Sequence, residues 1–215
     1  MKIPAQFGFY SVLTNPLRGY EYLTQLLVDY KIAFVQLRIK EGSVDEILKT
    51  ASRMRDITQG TSTKLIINDY PDIAIKVSAD GTHVGQDDLA LEELRVLMDD
   101  DHIIGLSTHS PVQTADACAR KPDYIGVGPV YATPTKKNAD PVIGISGMKE
   151  MLSVATVPAV VIGGIDFSNI RDVLDAGAQN FCMVRQLTSS ENPEEILKKT
   201  VKIYNEYYPG FYALS

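Results

Sequence analysis

The residues best suited to chemistry lie in short polar segments, each following an apolar run. The longest such stretch is 124–137, Tyr-Ile-Gly-Val-Gly-Pro-Val-Tyr-Ala-Thr-Pro-Thr-Lys-Lys. It reads as a buried strand with small gaps at Gly126 and Gly128. The strand breaks at Pro129 into a loop with two hydroxyls, Thr133 and Thr135, and two ammonium groups, Lys136 and Lys137. Hydroxyls and cations delivered from a strand end suit an anion. In Gln36-Leu-Arg-Ile-Lys40, the residues Gln36, Arg38 and Lys40 recur at period two and so share one side of a strand. Arg and Lys there suit a diphosphate. Asp69 ends Ile66-Ile-Asn-Asp, and Asp87 and Asp88 end His83-Val-Gly-Gln-Asp-Asp. Asp69 with one of that pair could share Mg²⁺, which takes one or two protein carboxylates and completes its shell with water and substrate phosphate. Asp88 has a structural alternative as the cap of a following helix.

Further along, Gly105-Leu-Ser-Thr-His-Ser110 offers Ser107 or Thr108 as donors to a phosphate, while His109 also fits a packed loop position. Gly163-Gly164 would let backbone N–H groups approach a phosphate, and Arg185 closes the last apolar run. The collection amounts to two anion sites and a metal. Two phosphorylated ligands held mouth to mouth imply a transfer between them. No Ser-His-Asp set, reactive-cysteine setting or zinc-ligand cluster competes with that reading.

Positioning these groups falls to eight apolar or β-branched runs, expected as strands at 7–14, 34–39, 64–69, 82–85, 103–108, 124–130, 159–163 and 180–185. Several are apolar throughout rather than alternating, as parallel strands covered by helices should be. Between them lie helical segments. Val44, Ile47, Leu48, Ala51, Met54 and Ile57 repeat at three- and four-residue steps, with Ser43 and Glu46 spaced as a capping box. Other helices are expected at 111–120, 146–155, 167–176 and 193–208, with Gly177 past the end of the third of these, and a two-turn helix at 72–79. An open doubly wound sheet would need a glycine-rich phosphate loop after its first strand, and Leu13-Thr-Asn-Pro-Leu-Arg18 has none. The pattern therefore predicts a single-domain (β/α)₈ TIM barrel, whose active site forms at the C-terminal ends of the strands.

Composition agrees with this. The chain has 215 residues, 45% hydrophobic and 22% charged, with a net charge of −6. One domain over 1–215 is expected, with 209–215 as a C-terminal tail either frayed or packed on its own barrel or on a partner, so a homo-oligomer stays open. The acidic balance argues against a nucleic-acid surface. No apolar run approaches a membrane span and no leader pattern begins the chain. Cys118 and Cys182 lack CxxC spacing and read as reduced core thiols of a cytoplasmic protein.

At this point the motifs match a family. The chain resembles thiamine-phosphate synthase over nearly its whole length. The resemblance rests on Gln36–Lys40, Ile67-Asn-Asp69, Gly81-Thr-His-Val-Gly-Gln-Asp-Asp88, Gly105-Leu-Ser107, Gly126-Val-Gly-Pro-Val-Tyr131, Thr133-Pro-Thr-Lys136 with Pro141 and Gly144 beyond, and Ile162-Gly-Gly-Ile165. It implies a TIM barrel that joins a hydroxymethylpyrimidine diphosphate to a thiazole phosphate, giving thiamine phosphate and diphosphate. On that resemblance Gln36, Leu37, Arg38, Ile39, Lys40, Asn68, Ser107 and Lys136 contact the pyrimidine diphosphate. Asp69 and Asp88 hold Mg²⁺, and Thr133, Pro134, Thr135, Gly164, Val184 and Arg185 hold the thiazole phosphate. The mechanism it implies is dissociative: diphosphate departs first, aided by Lys136, Arg38, Lys40 and Ser107, and the thiazole nitrogen then attacks. Two positions depart from the family pattern. Arg185 stands where a small hydroxyl residue is usual, and either clamps the thiazole phosphate or fills its pocket. Tyr70 stands where a second carboxylate is common. Two rivals are a TenI-like thiazole tautomerase, in which His109 would match an acid/base histidine, and a non-catalytic barrel that binds thiamine phosphate.

Overall fold

The computed structural model describes residues 3–133 and 140–213. The predicted alternation of strands and helices is present throughout. The strands are β1 (Gly8–Leu13), β2 (Phe34–Leu37), β3 (Lys64–Asn68), β4 (Gly81–Val84), β5 (Ile103–Thr108), β6 (Tyr124–Val127), β7 (Ala159–Val161) and β8 (Asn180–Phe181). They pair in sequence order, all parallel, and β8 pairs back onto β1 through Gly8↔Asn180 and Phe9↔Phe181 to close the barrel. The helices are α1 (Tyr20–Asp29), α2 (Val44–Thr58), α3 (Pro71–Lys76), α4 (Leu91–Leu97), α5 (Pro111–Ala119), α6 (Gly144–Val154), α7 (Ile170–Asp175), α8 (Val184–Thr188) and α9 (Pro193–Tyr207). The family of fold is a (β/α)₈ TIM barrel.

Strand parity divides the core into two layers. Inward-facing Phe7, Tyr10, Phe34, Ile66, Tyr124 and Val160 form a cluster inside the barrel. Phe34 meets Phe7 edge-on at 4.7 Å and stacks on Tyr10 at 5.6 Å. The alternate residues, among them Val35, Leu37, Ile67, Leu106, Ile125 and Val161, pack outward against the helices. The same parity places Gln36 on the inner side and Leu37 on the outer, as the period-two reading of this strand requires.

Local signals account for the helix ends. Ser43 Oγ accepts from Glu46 N–H at 3.3 Å and Glu46 Oε2 accepts from Ser43 N–H at 2.8 Å, so the capping box at α2 is formed on both sides. Gly177, just past α7, has φ +97°, the left-handed conformation of a helix-ending glycine. Several bounds and one alternative need correction: β2, β3, β6 and β7 stop at Leu37, Asn68, Val127 and Val161, short of the ends expected for them. The last strand does not run to residue 185: it stops at Phe181, and Val184 and Arg185 open α8. The first turns of the helix expected from 167 are loop, and α7 begins at Ile170. Asp88 does not cap α4, whose N-cap is Ala90. The tail is neither frayed nor free through residue 213. Tyr212 is buried, its hydroxyl accepting from Phe9 N–H at 2.7 Å and donating to Phe7 O at 3.2 Å. Among the described residues no helix is long and apolar enough to cross a membrane.

Candidate active site

A cavity of about 860 Å³ opens at the C-terminal ends of the strands. Gln36, Arg38, Lys40, Asn68, Asp69, Asp88, Ser107, Thr133, Gly164, Val184 and Arg185 all line it. Residues that are 149 positions apart in the chain, Gln36 and Arg185, thus share one mouth. Leu37 and Ile39 turn their side chains to the outer layer, Leu37 buried and Ile39 partly so, which leaves their backbone as what they can offer a ligand. Pro134, Thr135 and Lys136 lie outside the described residues.

One wall is cationic. Beyond β2 the chain carries Arg38, whose N–H is held by Leu13 O at 3.0 Å. Burial pulls the Arg38 guanidinium below its ordinary value, with Asp69 acting in the opposite sense. Lys40 forms an ion pair with Asp69 Oδ2. Asp69 sits just past β3 in the left-handed region, φ +64°, where Asp is among the more tolerant residues. Its backbone N–H donates to His83 O at 2.9 Å. Asp88 Oδ2 accepts from Gly85 N–H at 2.7 Å. Each carboxylate therefore has one oxygen engaged by the protein.

The donor set fits Mg²⁺. Two carboxylates from adjacent strand ends, on a wall that also carries Arg38 and Lys40, match an ion that takes one or two protein carboxylates and shares the rest with water and phosphate. Among the described residues no group of three or more His, Cys, Asp or Glu gathers in a metal-binding arrangement.

The floor of the mouth holds a chain of polar groups running through the aromatic core. Gln36 Nε2 donates to Tyr10 Oη at 3.0 Å. Tyr10 and Tyr124 hydroxyls are 2.7 Å apart. Tyr124 Oη lies 3.0 Å from His83 Nδ1, and His83 Nε2 lies 2.9 Å from Ser107 Oγ. Gly105 makes room for this chain, since a Cβ there would stand 2.4 Å from Tyr124 Oη and 2.5 Å from His83 Nδ1. Burial lowers the His83 imidazole to about 4, with Asp88 opposing and Arg38, His109 and Lys40 reinforcing, so the ring is neutral near pH 7. Burial pushes both phenols up, so they too are protonated. Thr108, the alternative to Ser107 as a phosphate donor, is buried and spends its hydroxyl on Gly126 O at 2.8 Å.

The opposite wall is built from the loops after β6, β7 and β8. Gly163 and Gly164 have φ +107° and +62°. A Cβ on Gly163 would stand 2.4 Å from Pro129 Cα, and one on Gly164 would stand 2.6 Å from Ala132 O. Their carbonyls are taken, Gly163 O by Tyr131 N–H at 2.9 Å and Gly164 O by Asn169 Nδ2 at 3.0 Å, which leaves the N–H side of the loop for a ligand. Arg185, on α8, faces Asp166: that carboxylate is held low mainly by the Ser168 hydroxyl and N–H, with the Arg185 charge adding to them. His109 lines the mouth as well. Its Nδ1 is 2.6 Å from Gly128 O, which can only accept, and its Nε2 is 3.4 Å from Asp140 Oδ2.

Reading only strand ends missed Tyr10, His83 and Tyr124. Inward parity along β1, β4 and β6 was the signal that could have found them, since each is a polar residue at a core-facing position.

Comparison with known proteins agrees with this geometry. The family model described as thiamine monophosphate synthase matches residues 14–187. The thiamine-phosphate synthase of Lawsonia intracellularis is 41% identical over 172 residues, covering 80% of this chain and 79% of that protein. That of Gloeobacter violaceus is 43% identical over 162 residues, covering 75% of this chain but 47% of the relative, so this chain spans about half of that longer protein. Among solved structures, thiamine phosphate pyrophosphorylase from Pyrococcus furiosus superposes with a TM-score of 0.84 at 25% identity, covering 94% of this chain and 96% of that one. The chain belongs to the thiamine monophosphate synthase family, transferases of thiamine biosynthesis.

Proposed function

We propose that this mouth joins a hydroxymethylpyrimidine diphosphate to a thiazole phosphate by a dissociative route. The observation that carries the reading is the division of one cavity into two walls. Arg38, Lys40, Asp69 and Asp88 stand on one side, and the Gly163-Gly164 loop with Arg185 stands on the other. Arg38 and Lys40 take the diphosphate, and Lys136 adds a further charge as it departs. Asp69 and Asp88 would hold Mg²⁺, which when bound supplies charge neutralisation for a leaving diphosphate. Ser107 and Asn68 face the pyrimidine, while Thr133, Pro134, Thr135, Gly164, Val184 and Arg185 hold the thiazole phosphate. No protein nucleophile is required, because the bond to the leaving group breaks before the thiazole nitrogen attacks. Stabilising the departing charge is the whole task of the first wall.

The ligands are thus small phosphorylated molecules. Two buried cysteines that form no disulfide, Cys118 and Cys182, support a cytoplasmic setting as part of this reading.

The test mixes both substrates with and without Mg²⁺ and detects diphosphate. Mg²⁺-dependent diphosphate release is expected, and Asp69→Asn should lower the rate at limiting Mg²⁺ by about tenfold, the scale of one lost charge-assisted ligand. Asn tolerates the left-handed backbone of this position, so the fold should survive. Isomerisation of the thiazole phosphate alone would instead mark a tautomerase acting through His109. Tight product binding without turnover would mark a binding protein.

A further inference from the structure

We propose that the buried chain Gln36–Tyr10–Tyr124–His83–Ser107 has a fixed direction. In that direction His83 is a positioning residue that turns the Ser107 hydroxyl into a hydrogen-bond donor toward the pyrimidine. The inference rests on the synthase reading for the identity of the ligand.

The direction follows from counting protons. Gln36 Nε2 is the one member of the chain that can only donate. It donates to Tyr10 Oη, which has a single proton of its own. Tyr10 is buried and its other hydrogen-bond neighbour is Tyr124 Oη at 2.7 Å, so its proton goes there. The reverse assignment would strand the Tyr10 proton in an apolar cluster of Phe7, Phe34 and Val160, at the full desolvation cost of a buried donor. Tyr124 Oη, now an acceptor, sends its own proton to His83 Nδ1. With Nδ1 accepting from Tyr124, the proton of the ring sits on Nε2, which donates to Ser107 Oγ at 2.9 Å. With one lone pair occupied by that donation, Ser107 has its proton left for the cavity it lines. Its backbone is fixed as well, Ser107 O accepting from Gln86 Nε2 at 2.6 Å. Gly105 completes the device, because any side chain there would collide with the His83–Tyr124 contact.

The chain has three histidines, which keeps the test simple. In full-length protein with ¹⁵N-labelled histidine at neutral pH, the signal lost in His83→Ala should be protonated on Nε2 and bare on Nδ1. Tyr124→Phe should abolish that preference, and it stands in where His83→Ala fails to fold. An Nδ1–H ring or an imidazolium would overturn the proposal. A double-mutant cycle on kcat/KM for the pyrimidine diphosphate gives the functional arm. His83→Ala and Ser107→Ala should each lose about tenfold, and the double variant should fall no more than about twofold below Ser107→Ala alone. Additive losses would show that His83 does not act through Ser107. A wild type with the Nε2–H tautomer that releases no diphosphate removes the synthase reading and leaves the direction of the chain standing.

Discussion

At the scale of single residues, the mouth works by keeping some groups charged and others neutral within a short span. Lys40 and Asp69 form an ion pair at the rim, where one partner is half exposed. Coulomb attraction there is weak, so the pair is best understood as holding Asp69 in place rather than as a source of stability. His83, a little deeper, is neutral because burial disfavours its cation, and the nearby cations Arg38 and Lys40 work in the same sense. That has a consequence for stability. The unfolded chain takes up a proton at its imidazole near pH 6.5, whereas folded His83 does so only at about 4. Its neutral state therefore contributes fully above pH 6.5, and stability is lost as pH falls from there toward 4, by at most about 3 kcal/mol. Urea unfolding without Mg²⁺, wild type beside His83→Gln, isolates this contribution from the carboxylates that titrate in both. The wild type should lose its advantage over the variant between pH 7 and pH 4. A parallel decline of the two proteins would mean that the imidazole is not desolvated as the structure shows.

At the scale of elements, the ends of the strands separate what the sequence made legible from what it did not. The runs at β2, β3, β6 and β7 were each expected to extend a few residues past where the ladder stops. The extra residues are Arg38 and Ile39, Asp69, Gly128 to Val130, and Ile162 and Gly163, all but Ile39 and Val130 lining the cavity. Apolar character continues into them because they still pack on the barrel rim, and single backbone bonds such as Arg38 N–H to Leu13 O and Asp69 N–H to His83 O persist while polar groups turn to the cavity. A propensity reading sees the first fact and not the second. Capping chemistry, by contrast, is local, so the Ser43 box was readable from a Ser and a Glu three residues apart. Parity was readable too, and put Gln36, Arg38 and Lys40 on one side correctly. Tyr10, Tyr124 and His83 were open to the same parity reading, but their contact with one another was not, since it depends on barrel closure that no single segment encodes. β8 failed for a related reason: Phe-Cys-Met-Val at 181–184 fits a strand or a buried helix start equally well. The outcome matters for Arg185. On a strand it would have shared the outward parity of Phe181 and Met183, toward the helices, whereas on α8 it lines the cavity, with Asp166 near enough to feel its charge. A guanidinium tethered at the rim fits a clamp on the thiazole phosphate better than a plug of its pocket. Arg185→Ser should then raise KM for the thiazole phosphate about tenfold with little change in kcat, as loss of uniform binding does. A lowered KM would show that Arg185 obstructs the pocket.

At the scale of the whole molecule, closing the barrel is the structural problem that the chain's two ends solve together. The β1–β8 seam has two registered pairs, the fewest in the barrel together with β7–β8, because β8 is two residues long. Side chains supply what the ladder lacks. Asn180 Oδ1 accepts from Phe7 N–H at 2.6 Å and Gly8 N–H at 3.0 Å, and its Nδ2 donates to Ala5 O and Ala159 O. From α9, Tyr204 Oη donates to Gln179 O and accepts from Gln6 Nε2, both at 2.7 Å. The tail then folds back so that Tyr212 Oη bridges Phe9 N–H and Phe7 O, while Asn205 grips the Tyr212 backbone in both directions at 2.8 and 3.0 Å. All of these contacts lie at the N-terminal end of β1, away from the mouth that holds the chemistry. Stability and catalysis are therefore assigned to opposite ends of the barrel, as the fold generally permits. Tyr212→Phe keeps the ring and removes the bridge, leaving a buried N–H and a buried carbonyl without their partner. It should cost about 1–3 kcal/mol in urea unfolding. Because the seam is remote from Arg38, Asp69 and Ser107, kcat and both KM values should stay within about twofold of wild type. Loss of activity at unchanged stability would mean that the seam is coupled to the mouth, and that the barrel does not keep the two tasks apart.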